Sequence, residues 1–99
     1  MNKDETYYQA KKGFVHRSIA GNDILISVGA NVANFNGYIM LNPTASFLWN
    51  ALLQPKTVNT LTIMLTEEFD VSEETARNDV ENFLEMLIRN SMVNVYEQN

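Results

Sequence analysis

Few residues in this chain are suited to chemistry, and their spacing decides how they read. His16 is the only histidine, and cysteine is absent. A zinc site needs three or four His, Cys or carboxylate ligands, so one imidazole in a strand makes a poor metal site. A serine nucleophile needs a base to activate it, and no serine pairs with His16 on sequence grounds. The carboxylates come as neighbours, Glu67-Glu68 and Glu73-Glu74, which point in different directions on a helix. They read as a solvated face and as acids placed beside a helix N-terminus. No Gly-x-Gly-x-x-Gly or phosphate-loop motif occurs. The expectation is a chain that is not an enzyme and carries no cofactor and no metal.

The overall composition narrows the partners. The 99 residues suffice for one domain with one modest core. A hydrophobic share of 45% marks the chain as globular. Without cysteine there is no disulfide scaffold, and a reducing, cytoplasmic location is expected. No apolar run approaches a membrane span, and the polar start Met1-Asn2-Lys3-Asp4-Glu5-Thr6 is not a signal peptide. The net charge of −5 speaks against a nucleic-acid surface, because DNA binding relies on Lys and Arg neutralising phosphates. Lys3, Lys11, Lys12 and Arg17 lie within the first 17 positions, while the acids gather from Glu67 onward. That polarity favours a partner of complementary charge.

The elements follow from periodicity. Residues 1–12 read as a flexible tail, and residues 13–96 as the domain. Phe14–Ile19 and Asp23–Val28 flank Gly21-Asn22, a pair suited to a type II′ hairpin loop. In the second strand Ile24, Ile26 and Val28 share one face and Leu25 and Ser27 the other. Phe35–Leu41 reads as a third strand, with Phe35, Ile39 and Leu41 opposite Asn36, Tyr38 and Met40. Asn42 suits a helix N-cap and Pro43 the first helical position, so strand passes to helix with almost no linker. The first helix has Ala45, Leu48, Trp49, Leu52 and Leu53 at helical spacing, and Pro55 stops it. A second runs from near Thr57 to Phe69, with Leu61, Met64, Leu65 and Phe69 inward. A third, capped by Ser72, turns Ala76, Val80, Phe83, Leu84, Leu87 and Ile88 inward. Asn90 suits the left-handed position that ends a helix. Met92–Tyr96 alternates and reads either as a short strand or as a packed tail. The fold class is α+β, winged-helix-like: a three-stranded antiparallel N-terminal meander followed by three helices.

Winged-helix content suggests a DNA-binding regulator, but the third helix opposes it. A recognition helix enters the major groove. This one carries Glu73, Glu74, Asp79, Glu81 and Glu85 against Arg77 and Arg89. Glu73–Arg77 and Glu85–Arg89 are four apart with the acid first, the better order for pairing within the helix.

Three stretches together resemble a known family. Ile19-Ala20-Gly21-Asn22-Asp23-Ile24-Leu25-Ile26 is similar to the first hairpin of coenzyme PQQ synthesis protein D and its relatives. Leu41-Asn42-Pro43-Thr44-Ala45 with Leu48-Trp49 and Leu52 resembles their strand-to-helix junction. Phe69-Asp70-Val71-Ser72 with Asp79-Val80, Phe83-Leu84 and Leu87 resembles their last helix. The likeness spans about residues 13–93; Asn90-Ser91-Met92 departs from it, where the family commonly has glycine followed by aliphatic residues. The resemblance implies a precursor peptide recognition element: a non-catalytic domain that binds the leader of a ribosomally made peptide. It would present that peptide to a modifying enzyme, often a radical SAM protein. The leader would add as a strand to the third strand, in a groove bordered by the last helix.

Elementary energetics say what such a groove requires. The last strand of a meander is an edge with unpaired amides and carbonyls, a template for strand addition. Gly37 leaves a gap in its side-chain row. Net gains of about 0.5–1.5 kcal/mol per hydrogen bond are roughly matched by about 1–2 kcal/mol per ordered peptide residue. Buried apolar leader side chains, at about 1.5–3 kcal/mol each, must supply the surplus. The expected site is therefore Phe35, Asn36, Gly37, Tyr38, Ile39 and Met40 on the strand, with Arg77, Val80, Glu81 and Leu84 on the last helix. Phe35, Ile39, Val80 and Leu84 would form the apolar base, and Arg77 and Glu81 the charged rim. A structural dimerisation domain would use the same sheet edge, so the chain is expected to be a monomer or a homodimer.

Overall fold

A computed structural model describes residues 6–28 and 38–97. In chain order these residues form β1 (Thr6–Ala10), β2 (Phe14–Ile19), β3 (Asn22–Ser27) and β4 (Tyr38–Leu41), then α1 (Pro43–Ala51), α2 (Val58–Glu68), α3 (Glu73–Arg89) and β5 (Val93–Glu97). β2, β3 and β4 are the expected antiparallel meander, in that spatial order. The three helices follow as expected.

The sequence places Thr6–Ala10 in a tail, whereas they form β1, paired antiparallel with β5 from Thr6↔Glu97 to Ala10↔Val93. β5 is the short strand that the alternation of Met92–Tyr96 allowed, whereas β1 shows too little apolar patterning to announce itself. They are held because Met92 and Val93 are buried in the core, which Tyr8 and Ala10 pack against. Backbone bonds fix β1 further: Tyr8 and Lys56 exchange amide–carbonyl bonds of 2.8 and 2.9 Å, and the Ala10 amide donates to the Leu52 carbonyl.

The β2–β3 loop is shifted by one residue from Gly21-Asn22. Ile19 pairs with Asn22, so the two loop residues are Ala20 and Gly21, with φ of 53° and 82°. Positive φ at both central positions marks a type I′ turn, whose twist matches that of the strands. Partners Leu25, His16 and Ile39 share the face toward the helices. Leu25 is fully buried, while Ile24 and Ile26 are only half-buried on the outer face. Phe14 joins the inner face and meets Trp49 edge-on, with ring centroids 6.1 Å apart.

The helices begin as their caps require. Asn42 Oδ1 accepts from the Ala45 amide at 2.8 Å, Thr57 Oγ1 from the Thr60 amide and Ser72 Oγ from the Thr75 amide, each at 3.1 Å. Trp49, Leu52, Leu61, Leu65, Val80 and Leu87 form the centre of the core. Leu53 and Ile88, expected inward, are about half exposed. Leu53 lies past the end of α1, and Ile88 sits on the margin of the α3 stripe. Phe47 and Phe69 close the α1–α2 side with an edge-on contact at 5.7 Å.

α3 ends one residue later than Asn90 alone suggests. Asn90 has φ −100°, and Ser91 takes the left-handed position at φ 57°. The Ser91 amide donates to the Ile88 carbonyl and the Met92 amide to the Leu87 carbonyl, the two bonds of a Schellman ending. Asn90 serves it differently, its Nδ2 donating to the Met86 carbonyl at 2.9 Å. A β-branched side chain at Ser91 clashes with its own backbone, so Ser91→Val should lower stability by about 1–2 kcal/mol. Ser91→Gly should be tolerated, and urea denaturation of the two variants checks the contrast. Ser46 Oγ is buried without a hydrogen-bond partner among the described residues. Removing an unsatisfied buried hydroxyl should make Ser46→Ala at least as stable as the parent, by up to about 1 kcal/mol in the same assay.

Candidate functional site

β4 is the edge of its sheet: among the described residues it pairs with β3 alone. Its register against β3 runs from Ile26↔Tyr38 to Asp23↔Leu41. Two of its four residues turn their amides and carbonyls to the open side. A strand added there would gain about four hydrogen bonds, worth about 0.5–1.5 kcal/mol each. Ile39 packs against the core and Leu41 is buried, whereas Tyr38 and Met40 are 62% exposed on the outer face. The expected site residues Phe35, Asn36 and Gly37 lie outside the described residues.

Beyond the end of β4 a hollow of about 250 Å³ opens between α1 and α3. Asn42, Thr44, Ala45 and Leu48 line it from the junction and α1, and Asp79, Asn82 and Phe83 from α3. Ala45, Leu48 and Phe83 supply apolar surface, and Asp79 and Asn82 polar ends. Asn42 and Thr44 are engaged with each other, the Thr44 hydroxyl donating to Asn42 Oδ1 at 3.0 Å.

The α3 residues named from the sequence lie elsewhere on the helix. Arg77 faces α2: its Nη2 donates to Asn59 Oδ1 at 2.8 Å and lies 3.7 Å from Glu73. Glu81 and Leu84 line a separate hollow with Tyr8, Val58 and Ile88. Val80 is fully buried and Leu84 nearly so. At about 100° per residue, Arg77, Glu81 and Leu84 fall on one side of the buried stripe. Asp79, Asn82 and Phe83 fall on the other, toward the junction. The residues named from the sequence on this helix therefore do not line the hollow beyond β4. The spacing of Asp79, Asn82, Phe83 and Met86 at i, i+3, i+4 and i+7 was a readable signal. Which flank meets the sheet depends on how α3 crosses α1, and periodicity does not contain that.

His16 has a structural place. Its Nδ1 lies 3.2 Å from Asn50 Oδ1 and its Nε2 3.2 Å from Asp23 Oδ1, tying the hairpin to the end of α1. Among the described residues no group of three or more His, Cys, Asp or Glu is placed to hold a metal ion. Among them, too, no helix is long and apolar enough to cross a membrane.

A sequence model of the family described as coenzyme PQQ synthesis protein D (PqqD) matches residues 24–93. The chain belongs to the PqqD family. The match takes in β3 from Ile24 onward, β4, all three helices and the first residue of β5, hence every element around the β4 edge and the hollow. No curated protein matches this PqqD-family chain. Two solved structures share its fold. One is described as TbiB1 in complex with the TbiA(beta) leader peptide, at 19% identity and a TM-score of 0.66, covering 86% of this chain and 93% of the other. The second is a lasso peptide synthetase B1 complexed with the leader peptide, at 20% identity and a TM-score of 0.67, covering 88% and 96%.

For the PqqD-family chain, Arg77 reads as a tie between helices. Arg77→Ala should lower stability by about 1 kcal/mol through the lost Asn59 bond. Thermal unfolding of the variant checks this, and its Asp79, Asn82 and Phe83 amide shifts should stay in place.

Proposed function

We propose that this chain binds the leader segment of a ribosomally made precursor peptide. The leader adds as a strand to the open edge of β4, and the chain, with no catalysis of its own, presents the remainder to a modifying enzyme. The observation that carries this reading is the unpaired β4 edge leading into the hollow between α1 and α3. The two solved relatives in fold, each described in complex with a leader peptide, support it.

The physics of the edge agrees. About four hydrogen bonds roughly offset the ordering of four peptide residues, so affinity has to come from side chains seated beside the strand. The hollow offers Ala45, Leu48 and Phe83 for that purpose. The modifying enzyme is expected to be of the radical SAM class or another peptide-tailoring type, acting in the cytoplasm. Site residues under this reading are Tyr38, Ile39 and Met40 on β4, with Asp79, Asn82 and Phe83 across the hollow. The DNA-binding alternative finds no support in α3, where Arg77 and Arg89 are each paired with an acid one turn earlier.

The test is a titration of the isotope-labelled chain with the leader half of the precursor peptide encoded beside its gene. Amide signals of Tyr38–Leu41 and Asp79–Phe83 should move, and hydrogen exchange at β4 should slow. An unchanged spectrum at millimolar peptide would exclude strand addition at this edge. Sedimentation of the free chain distinguishes a monomer from a homodimer closed through the same edge.

A further inference from the structure

The hollow beside β4 has a chemical preference of its own. Its apolar surface comes from Ala45, Leu48 and Phe83, and its open polar groups are the Asp79 carboxylate and the Asn82 amide. The Asn42 side-chain oxygen is already used, accepting from the Ala45 amide and the Thr44 hydroxyl. Asp79 and Asn82, by contrast, have no side-chain hydrogen bond or ion pair among the described residues. Asp79 is half-buried, and a partly buried charge is screened less by salt than a fully exposed one. Among the described residues no Lys or Arg lines the hollow. Both arginines of α3 are held by Glu73 and Glu85.

The geometry points to a Lys or Arg side chain of the leader as the occupant of this hollow, an inference that rests on the leader reading above. The long aliphatic stem of either residue lies along apolar surface while its charged end reaches a polar rim. Ala45, Leu48 and Phe83 take the stem. The cationic end donates to the Asp79 carboxylate and to the Asn82 side-chain oxygen, charge-assisted at Asp79. A leader strand leaving β4 at its Leu41 end runs toward Asn42, the first lining residue. The basic residue therefore flanks the strand-forming segment at its Leu41 end, at a fixed distance, and sets the register of the added strand. A neutral polar residue at that place would leave the Asp79 charge unpaired, and an acidic one would be repelled. The pair thus selects among leaders as well as binding them.

The experiment uses a displayed library of random linear peptides, selected in parallel on the full chain and on its Asp79→Lys variant. The parent should enrich peptides with Lys or Arg at one fixed distance from an apolar, strand-forming stretch. The variant should lose that preference and enrich Asp or Glu there. A peptide selected on the parent should bind the Asp79→Asn chain about tenfold more weakly. With its basic residue changed to methionine it should bind both chains alike, the signature of direct coupling. Enriched peptides without a basic preference, or one motif from both selections, would overturn this inference and leave strand addition standing. If neither chain enriches any peptide, the leader reading fails and this inference with it.

Discussion

The structure depends on burying the inner face of a sheet too small to stand alone. A meander of strands four to six residues long has little independent stability in water. Phe14, Leu25, Ile39 and Leu41 line its inner face, and Trp49 is the largest side chain they meet. Burying an indole removes roughly 150–250 Å² from water, worth about 4–6 kcal/mol at about 25 cal/mol per Å². Trp49 is 2% exposed and meets Phe14 edge-on, so one residue of α1 anchors the sheet to the helical layer. The single-residue junction at Asn42 makes this possible. It sets α1 directly after β4, so the sheet edge and the start of the first helix cannot drift apart.

That anchoring leaves β4 outermost. Its inner side chains are committed to the core, its outer ones face solvent, and its end at Leu41 leads to Asn42, the first residue lining the hollow. Binding by strand addition needs such a preformed, rigid edge, because ordering both partners would cost more than four hydrogen bonds return. The second small sheet, β1 with β5, works at the opposite end of the chain. It ties both ends of the described chain to the helices through Lys56, Leu52 and Met92, and it seats Tyr8 beside the outer flank of α3. Tyr8 and Val58 thus form one wall of the hollow on that flank, while Asp79 and Phe83 line the separate hollow shared with α1.

Charge is arranged to the same effect. The acids of α3 are not a uniform repulsive face: Glu73 and Glu85 are matched to arginines one turn on. These exposed pairs add little stability, about 0–1 kcal/mol each. Their consequence is that the α3 arginines do not neutralise Asp79. Asp79 is the one acidic residue among those lining the hollow between α1 and α3.

Much of this was legible in the sequence because it is local. The caps Asn42, Thr57 and Ser72, the proline at the start of α1, the buried stripe of α3 and the meander each follow from short-range patterns, and the order of three such stretches identified the family. What the sequence did not contain are decisions made between distant residues. Thr6–Ala10 looks like a tail because its partner strand, Val93–Glu97, lies at the far end of the chain. The Ala20-Gly21 loop slipped by one because Gly21-Asn22 and Ala20-Gly21 are both acceptable turns, and pairing across the strands chooses. Ser91 replaced Asn90 as the left-handed residue because Met92 had to reach the core. Above all, helical periodicity showed which stripe of α3 is buried but not which flank meets the sheet. The crossing of α1 over α3 decided that, placing Asp79, Asn82 and Phe83 on the hollow shared with α1 and Arg77 and Glu81 on other faces. Spacing along a helix fixes the angles between its side chains; only packing against other elements fixes where those angles point.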